Sequence, residues 1–118
     1  MLVRGTTQNH TFVVPFAADA IQEVYLTYAQ NDEVKLDFND DDVTIIPSEI
    51  DENSAIVSIT LSQEDTLAFD YYKAEEKNIV KIQLRILTVD EEAYASIIMK
   101  ERVYEILHDG FIEDAKWG

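Results

Sequence analysis

The sequence predicts an all-β domain, an antiparallel sandwich of two sheets with one short helical turn, and three observations carry that expectation. Residues 80–86, Val-Lys-Ile-Gln-Leu-Arg-Ile, alternate apolar and polar side chains at a period of two, the spacing of a strand with one dry and one wet face. Similar alternation recurs along the chain between clusters of Asn, Asp and Ser, at intervals of roughly ten residues. No stretch shows the strand-then-helix rhythm of a parallel sheet, whose neighbouring strands need a crossover of roughly a dozen residues.

The first strand is expected within residues 6–16, where Phe12, Val14 and Phe16 share one side. Pro15 lacks an amide donor and suits an edge or a strand end. Residues 22–29 alternate again, with Val24, Leu26 and Tyr28 dry and Glu23, Tyr25 and Thr27 wet. Gln30, Asn31 and Asp32 are turn formers, so Val34, Leu36 and Phe38 read as the inward residues of the returning hairpin strand. The polar stretch 39–42 is the next turn, and residues 43–46 make a short strand stopped by Pro47. An acidic loop then leads into Ala55, Val57, Ile59 and Leu61, the dry side of a strand rich in β-branched residues.

Ser62 before Gln63, Glu64 and Asp65 is a helix start, because its hydroxyl can accept from first-turn amides while the acids favour the positive end of the dipole. About two turns fit before Asp70, with Leu67 expected to plug one end of the sandwich. Residues 74–78 turn the chain into the strand Ile79–Thr88, around which the rest is arranged, and residues 89–92 turn it back. The last strand, 93–107, has an ambiguous dry side: Ala95, Ile97 and Met99 fit one register, Tyr104 and Ile106 the other. A β-bulge around residues 100–102 would reconcile them, since one extra residue exchanges the faces. About seven short strands with one helical plug specify an immunoglobulin-like sandwich over residues 1–107, a small open barrel being the rival. Residues 108–118 form a C-terminal tail.

With 118 residues, 47% of them hydrophobic, the chain can bury one modest core and is read as one domain. The absence of cysteine excludes disulfides, thiolate catalysis and Cys-based zinc sites. A net charge of -15 disfavours nucleic acid, whose affinity comes mainly from Lys and Arg releasing counterions, and disfavours an anionic membrane surface equally. No apolar run matches a membrane span or a secretion signal, so synthesis and folding in the cytoplasm are expected.

Little in the sequence points to chemistry. Asp37, Asn39 and Asp41 begin with calcium-loop spacing, but Asp42 stands where the sharp turn requires Gly and Ser48 where a bidentate Glu is needed. His10 and His108 lie in no nucleophile or metal pattern. The acid pairs Asp51/Glu52, Glu75/Glu76 and Glu91/Glu92 all fall in expected turns, where water keeps a carboxylate ordinary and without acid/base power. Glycines only at 5, 110 and 118 leave no phosphate-cradling loop. The reading is therefore non-enzymatic, with no cofactor and no metal. Tyr25, expected outward, and Tyr71-Tyr72, expected in a loop, are candidate interface anchors or sugar-stacking rings. In the tail, Phe111, Ile112 and Trp117 are candidate contacts for a partner. A small carbohydrate- or calcium-dependent binding domain, using Tyr71, Tyr72 and the acids at 40–42, is the alternative.

Several stretches together carry a family resemblance: the opening Leu-Val-Arg-Gly-Thr-Thr at 2–7, the strand at 12–16, Tyr-Leu-Thr-Tyr-Ala-Gln-Asn at 25–31, the helical turn at 61–67 and Ile-Gln-Leu-Arg at 82–85. In these the chain resembles small prophage-encoded proteins of Gram-positive gut bacteria, and in layout the N-terminal sandwich domain of phage baseplate upper proteins. The resemblance spans residues 1–107, and its motifs are structural. It implies a phage tail or baseplate protein that folds in the bacterial cytoplasm, enters the virion and docks onto other tail components or onto itself.

Overall fold

A computed structural model describes residues 2–104, and in it the expected alternation resolves into nine strands among the described residues. In chain order these are β1 (Leu2–Val3), β2 (Gln8–Val14), β3 (Ile21–Gln30), β4 (Glu33–Phe38), β5 (Thr44–Pro47), β6 (Ala55–Leu61), β7 (Ile79–Thr88), β8 (Ala93–Ala95) and β9 (Met99–Tyr104). One short helix, α1 (Gln63–Leu67), and two 3₁₀ turns, Ala18–Ala20 and Glu75–Asn78, complete the elements. The fold is thus mostly β, in two sheets with little helix. The larger sheet runs β1-β9-β7-β3-β4 with β8 also on β7, and curls into a half-barrel; the smaller runs β2-β6-β5. No helix among the described residues is long and apolar enough to cross a membrane.

The strand Ile79–Thr88 is the hub, as its alternation predicts: β7 pairs antiparallel with β3, β8 and β9. Val80, Ile82, Leu84 and Ile86 are all buried, while Lys81 and Arg85 face outward. Val24, Leu26 and Tyr28 of β3 are wholly buried beside them, and Val57, Ile59 and Leu61 of β6 belong to the same apolar cluster. A tight hairpin joins β3 to β4, with Asn31 and Asp32 both at positive φ (52° and 63°), the backbone of the two-residue turn that suits twisted strands.

Departures from the simple alternation have local causes. In β4 the partners are Tyr28↔Leu36 and then Ala29↔Val34, so Lys35 is an extra residue and the register slips. Val34, expected inward, is turned out and 59% exposed, while the Lys35 side chain folds onto Asp70 at 2.9 Å. The plug is Phe69, fully buried 5.9 Å from the Tyr28 ring, and Leu67 is only half-buried. Ser62 caps α1 as expected: its hydroxyl accepts from Asp65 N–H (3.1 Å) and the Asp65 carboxylate accepts from Ser62 N–H (2.9 Å). Buried Thr66 ties the helix to the chain before β2, donating to the Thr6 carbonyl at 2.8 Å and accepting from Thr6 N–H at 3.1 Å.

The last strand is not continuous. It breaks at Ser96–Ile98 into β8 and β9, and no bulge occurs at 100–102. The pairing shifts by one residue across the break, so Ala95, opposite outward Arg85, and Ile97 are exposed although one register had them dry, whereas Met99 and Val103 face inward and Tyr104 outward; Ile106 falls outside the described residues. The two-residue β1, too short to read from periodicity, pairs parallel with β9 and buries Leu2.

Candidate functional site

The two sheets differ in width, and the difference opens a groove. Opposite the half of β7 that carries Leu84 and Ile86, the smaller sheet stops at β2, which among the described strands pairs with β6 alone. Ser96 sets the far wall. Its N–H donates to the Leu84 carbonyl (2.8 Å), its hydroxyl accepts from Leu84 N–H (2.9 Å), and that hydroxyl donates onward to the Ile97 carbonyl (2.8 Å). By substituting a side chain for a ladder partner, Ser96 pinches the strand to β7 and leaves Ile97 and Ile98 pointing outward, 84% and 52% exposed.

The resulting groove holds about 530 Å³ between β2 and the β8–β9 junction. Phe12, Val14 and Phe16 line one side, and Leu84, Ile86 and Met99 are among the residues opposite. Tyr94 and Ile97 form its outer rim, with the Tyr94 ring 4.8 Å from that of Phe16. The Tyr94 hydroxyl donates to the Glu92 carboxylate, and this bond to an anion raises the phenol pKa above its ordinary value. The surface is mostly apolar: of the hydroxyl-bearing residues lining it, Ser96 is committed to backbone partners and Tyr94 to Glu92, and Thr11 is exposed.

The residues singled out from sequence lie elsewhere. Tyr25 is on the outer face mid-way along β3, 42% exposed, and donates to Glu23 (3.1 Å), which raises its pKa. Tyr71 packs against the core from the segment after α1. Tyr72 is held by its backbone N–H to Asn78 Oδ1 (2.7 Å), by its hydroxyl to Asp70 (3.3 Å), and by Lys77, whose ammonium lies 5.6 Å from the ring centre. The Tyr71-Tyr72 pair sits by the β3–β4 hairpin, since Gln30 bonds Asp70, and roughly 16 Å of strand separates Gln30 from Tyr25. Phe111, Ile112, Trp117 and His108 fall outside the described residues.

The acid-rich turn is built from its own side chains. Asn39 Oδ1 accepts from Asp41 N–H (2.9 Å), Asp42 from Asn39 N–H (3.0 Å), and Asp37 from the Thr27 hydroxyl (3.0 Å). Among the described residues no group of three or more His, Cys, Asp or Glu is placed to hold a metal ion. His10 is half-buried with Nδ1 2.7 Å from the Tyr28 hydroxyl and Nε2 3.3 Å from Gln8 Oε1. Burial lowers its pKa, against an opposing pull from Glu101, and burial pushes the Tyr28 phenol up.

Sequence reasoning missed the groove, although the signal was present: the alternation fails at Ile97-Ile98-Met99, where consecutive apolar residues cannot all be dry. No protein-family model matches this chain, and neither a curated protein nor a solved structure does.

Proposed function

We propose that this chain is a non-enzymatic assembly module of a phage tail or baseplate, made in the bacterial cytoplasm and acting in the virion through protein–protein contacts. The observation that supports contact-making is the apolar groove beside β2, ringed by the exposed apolar residues Val13, Tyr94 and Ile97. The phage setting draws on the sequence resemblance alone. An immunoglobulin-like arrangement goes with this reading. It draws support from the strand order β1-β9-β7-β3-β4 and β2-β6-β5, the order in which G-F-C-C′ and B-E-D strands would be read along such a chain.

A small-ligand or carbohydrate site is the second reading, favoured by a groove volume in the range of ligand pockets and by the paired rings of Phe16 and Tyr94. Sugars need several convergent polar groups, and the Ser96 hydroxyl already spends both its donor and an acceptor on the backbone. The test is cross-linking mass spectrometry on purified particles from a host that makes the protein. Cross-links between this chain and tail components are expected; its absence from the particles would overturn the reading.

A further inference from the structure

We propose that the groove between β2 and the β8–β9 junction is a socket for a cationic segment of a partner protein. Large apolar side chains of that segment seat between Phe12 and Met99, and its Lys or Arg meets the acids beside Tyr94. The inference deepens the assembly reading by giving the partner's chemistry, and rests on it.

The groove is uncharged where the molecule is not. None of the described residues lining it is Asp, Glu, Lys or Arg, in a chain where those residues make up 28%. Val13 and Ile97 at its lips are exposed, and apolar side chains gathered in water on so charged a chain mark a contact surface. Its walls are set before any partner arrives. Phe12 and Val14 are laddered opposite Val57 and Ala55 of β6, Leu84 and Ile86 opposite Leu26 and Val24 of β3, and Ser96 ties the third side to Leu84. A cavity of about 530 Å³ has room for more than one large side chain, and such an anchor in a preformed pocket carries much of a contact's energy.

Charge decides the occupant. Val89 N–H donates to the Ala20 carbonyl (2.9 Å), which brings the 3₁₀ turn carrying exposed Asp19 against the turn carrying exposed Asp90, Glu91 and Glu92. Glu92 accepts from the Tyr94 hydroxyl at the rim, and Asp90 lies near enough to help raise that phenol's pKa. Among the described residues none of these four acids has a Lys or Arg within ion-pair distance. Past Met99, Lys81 and Lys100 stand opposite each other on the outer face of β7 and β9, so the two ends of the groove differ in sign. A segment with its cation at the Tyr94 end is drawn in and set in one direction. A second copy brings another -15, and a concave face set against itself in a two-fold contact fills nothing. Residues 105–118 hold Glu105, Asp109, Glu113 and Asp114 against Lys116, and β9 carries the chain to Tyr104, about 17 Å of strand beyond Met99 and away from the groove.

The test selects binders of the full chain from a ribosome-displayed library of random peptides that lack tryptophan, and measures the enriched peptides by calorimetry. They are expected to combine large apolar residues with Lys or Arg toward one end. Ile97→Asp, and the double variant Asp90→Lys with Glu92→Lys, should each weaken their binding about tenfold. Raising sodium chloride from about 0.05 M to about 0.5 M should weaken it as well. All three side chains are exposed, so neither variant should melt below the unaltered chain.

Enriched peptides without net positive charge, binding indifferent to both variants, or no enrichment at all would overturn the proposal. Trp117, the chain's one tryptophan, reports on a rival occupant. Emission that moves to the red on Ile97→Asp, with no peptide added, would mean that residues 105–118 fill the groove, and a dimer in light scattering that Ile97→Asp dissociates would mean that a second copy does; either overturns the socket. Should particles contain the chain while no peptide is enriched, the socket falls and the assembly reading stands. Should cationic peptides bind as expected while particles lack the chain, the assembly reading falls and the socket stands.

Discussion

Gln30 and Asn78 hold together the end of the molecule where β3 turns into β4. Gln30 is 1% exposed, and its amide makes three bonds: Nε2 donates to the carbonyls of Asp70 (2.7 Å) and Lys77 (2.9 Å), and Oε1 accepts from Asp70 N–H (2.9 Å). Asn78 does the same for Tyr72, accepting from its N–H and donating to its carbonyl at 2.8 Å. Gln30→Leu leaves those backbone groups buried without partners and should cost about 3 kcal/mol in denaturant unfolding. Tyr25→Ala, on the exposed face of the same strand, should stay within about 0.5 kcal/mol. The role of Gln30 was not legible in the sequence, where it reads as a turn former, because its partners come from residues some forty positions away. His10 supplies the pH prediction. Its folded pKa lies below the ordinary 6.5, chiefly because burial disfavours the imidazolium, so falling pH protonates the unfolded chain first. Stability present above about pH 6.5 is then lost as the pH drops toward the folded pKa. Thermal melts between about pH 7.5 and pH 5.5 should show wild type losing stability relative to His10→Gln; parallel curves would mean that the imidazole titrates normally.

At the scale of the element, legibility followed the strength of the alternation. β3, β6 and β7 are central or two-faced strands whose dry residues contact the core along their whole length, so Val24, Leu26, Val57, Ile59, Ile82 and Leu84 are buried as their spacing indicates. The hairpin strand β4 kept its place but lost its phase, because Lys35 gains more by reaching Asp70 than by holding the alternation. The Lys35 ammonium bonded to Asp70 raises the lysine pKa and lowers that of the acid. At the β8–β9 break the sequence shows only that alternation fails at Ile97-Ile98-Met99; how the chain breaks depends on one serine replacing a ladder partner of Leu84, a choice made by tertiary contact. The hub strand offers a direct check on face assignment. Leu84→Asp would bury an unpaired carboxylate at a site 3% exposed and should leave the chain unfolded at ordinary temperature, since several kcal/mol is most of a small domain's stability. Arg85→Ala, one residue on and outward, should cost no more than about 0.5 kcal/mol by the same melts.

For the whole molecule, the groove and the charge are properties that no single stretch of sequence contains. The groove exists because one sheet is narrower than the other, and sheet width depends on which strands pair, so the candidate site was hidden even where its walls were correctly read as strands. The charge was visible from composition, and it sets the molecule's response to salt. Acids outnumber bases by 24 to 9, and carboxylates such as Glu52, in a loop, and Glu76, in a 3₁₀ turn, lie exposed. Repulsion among them acts against the folded state more than the expanded one, because folding brings them closer. Raising sodium chloride from about 0.01 M to about 1 M shortens the screening length from about 30 Å to about 3 Å, and the melting temperature should rise. Glu52→Lys and Glu76→Lys each remove a negative charge and add a positive one, so they should raise the melting temperature at low salt and flatten its dependence on chloride. A melting temperature indifferent to salt in wild type would mean that the acids are spaced widely enough for water alone to screen them.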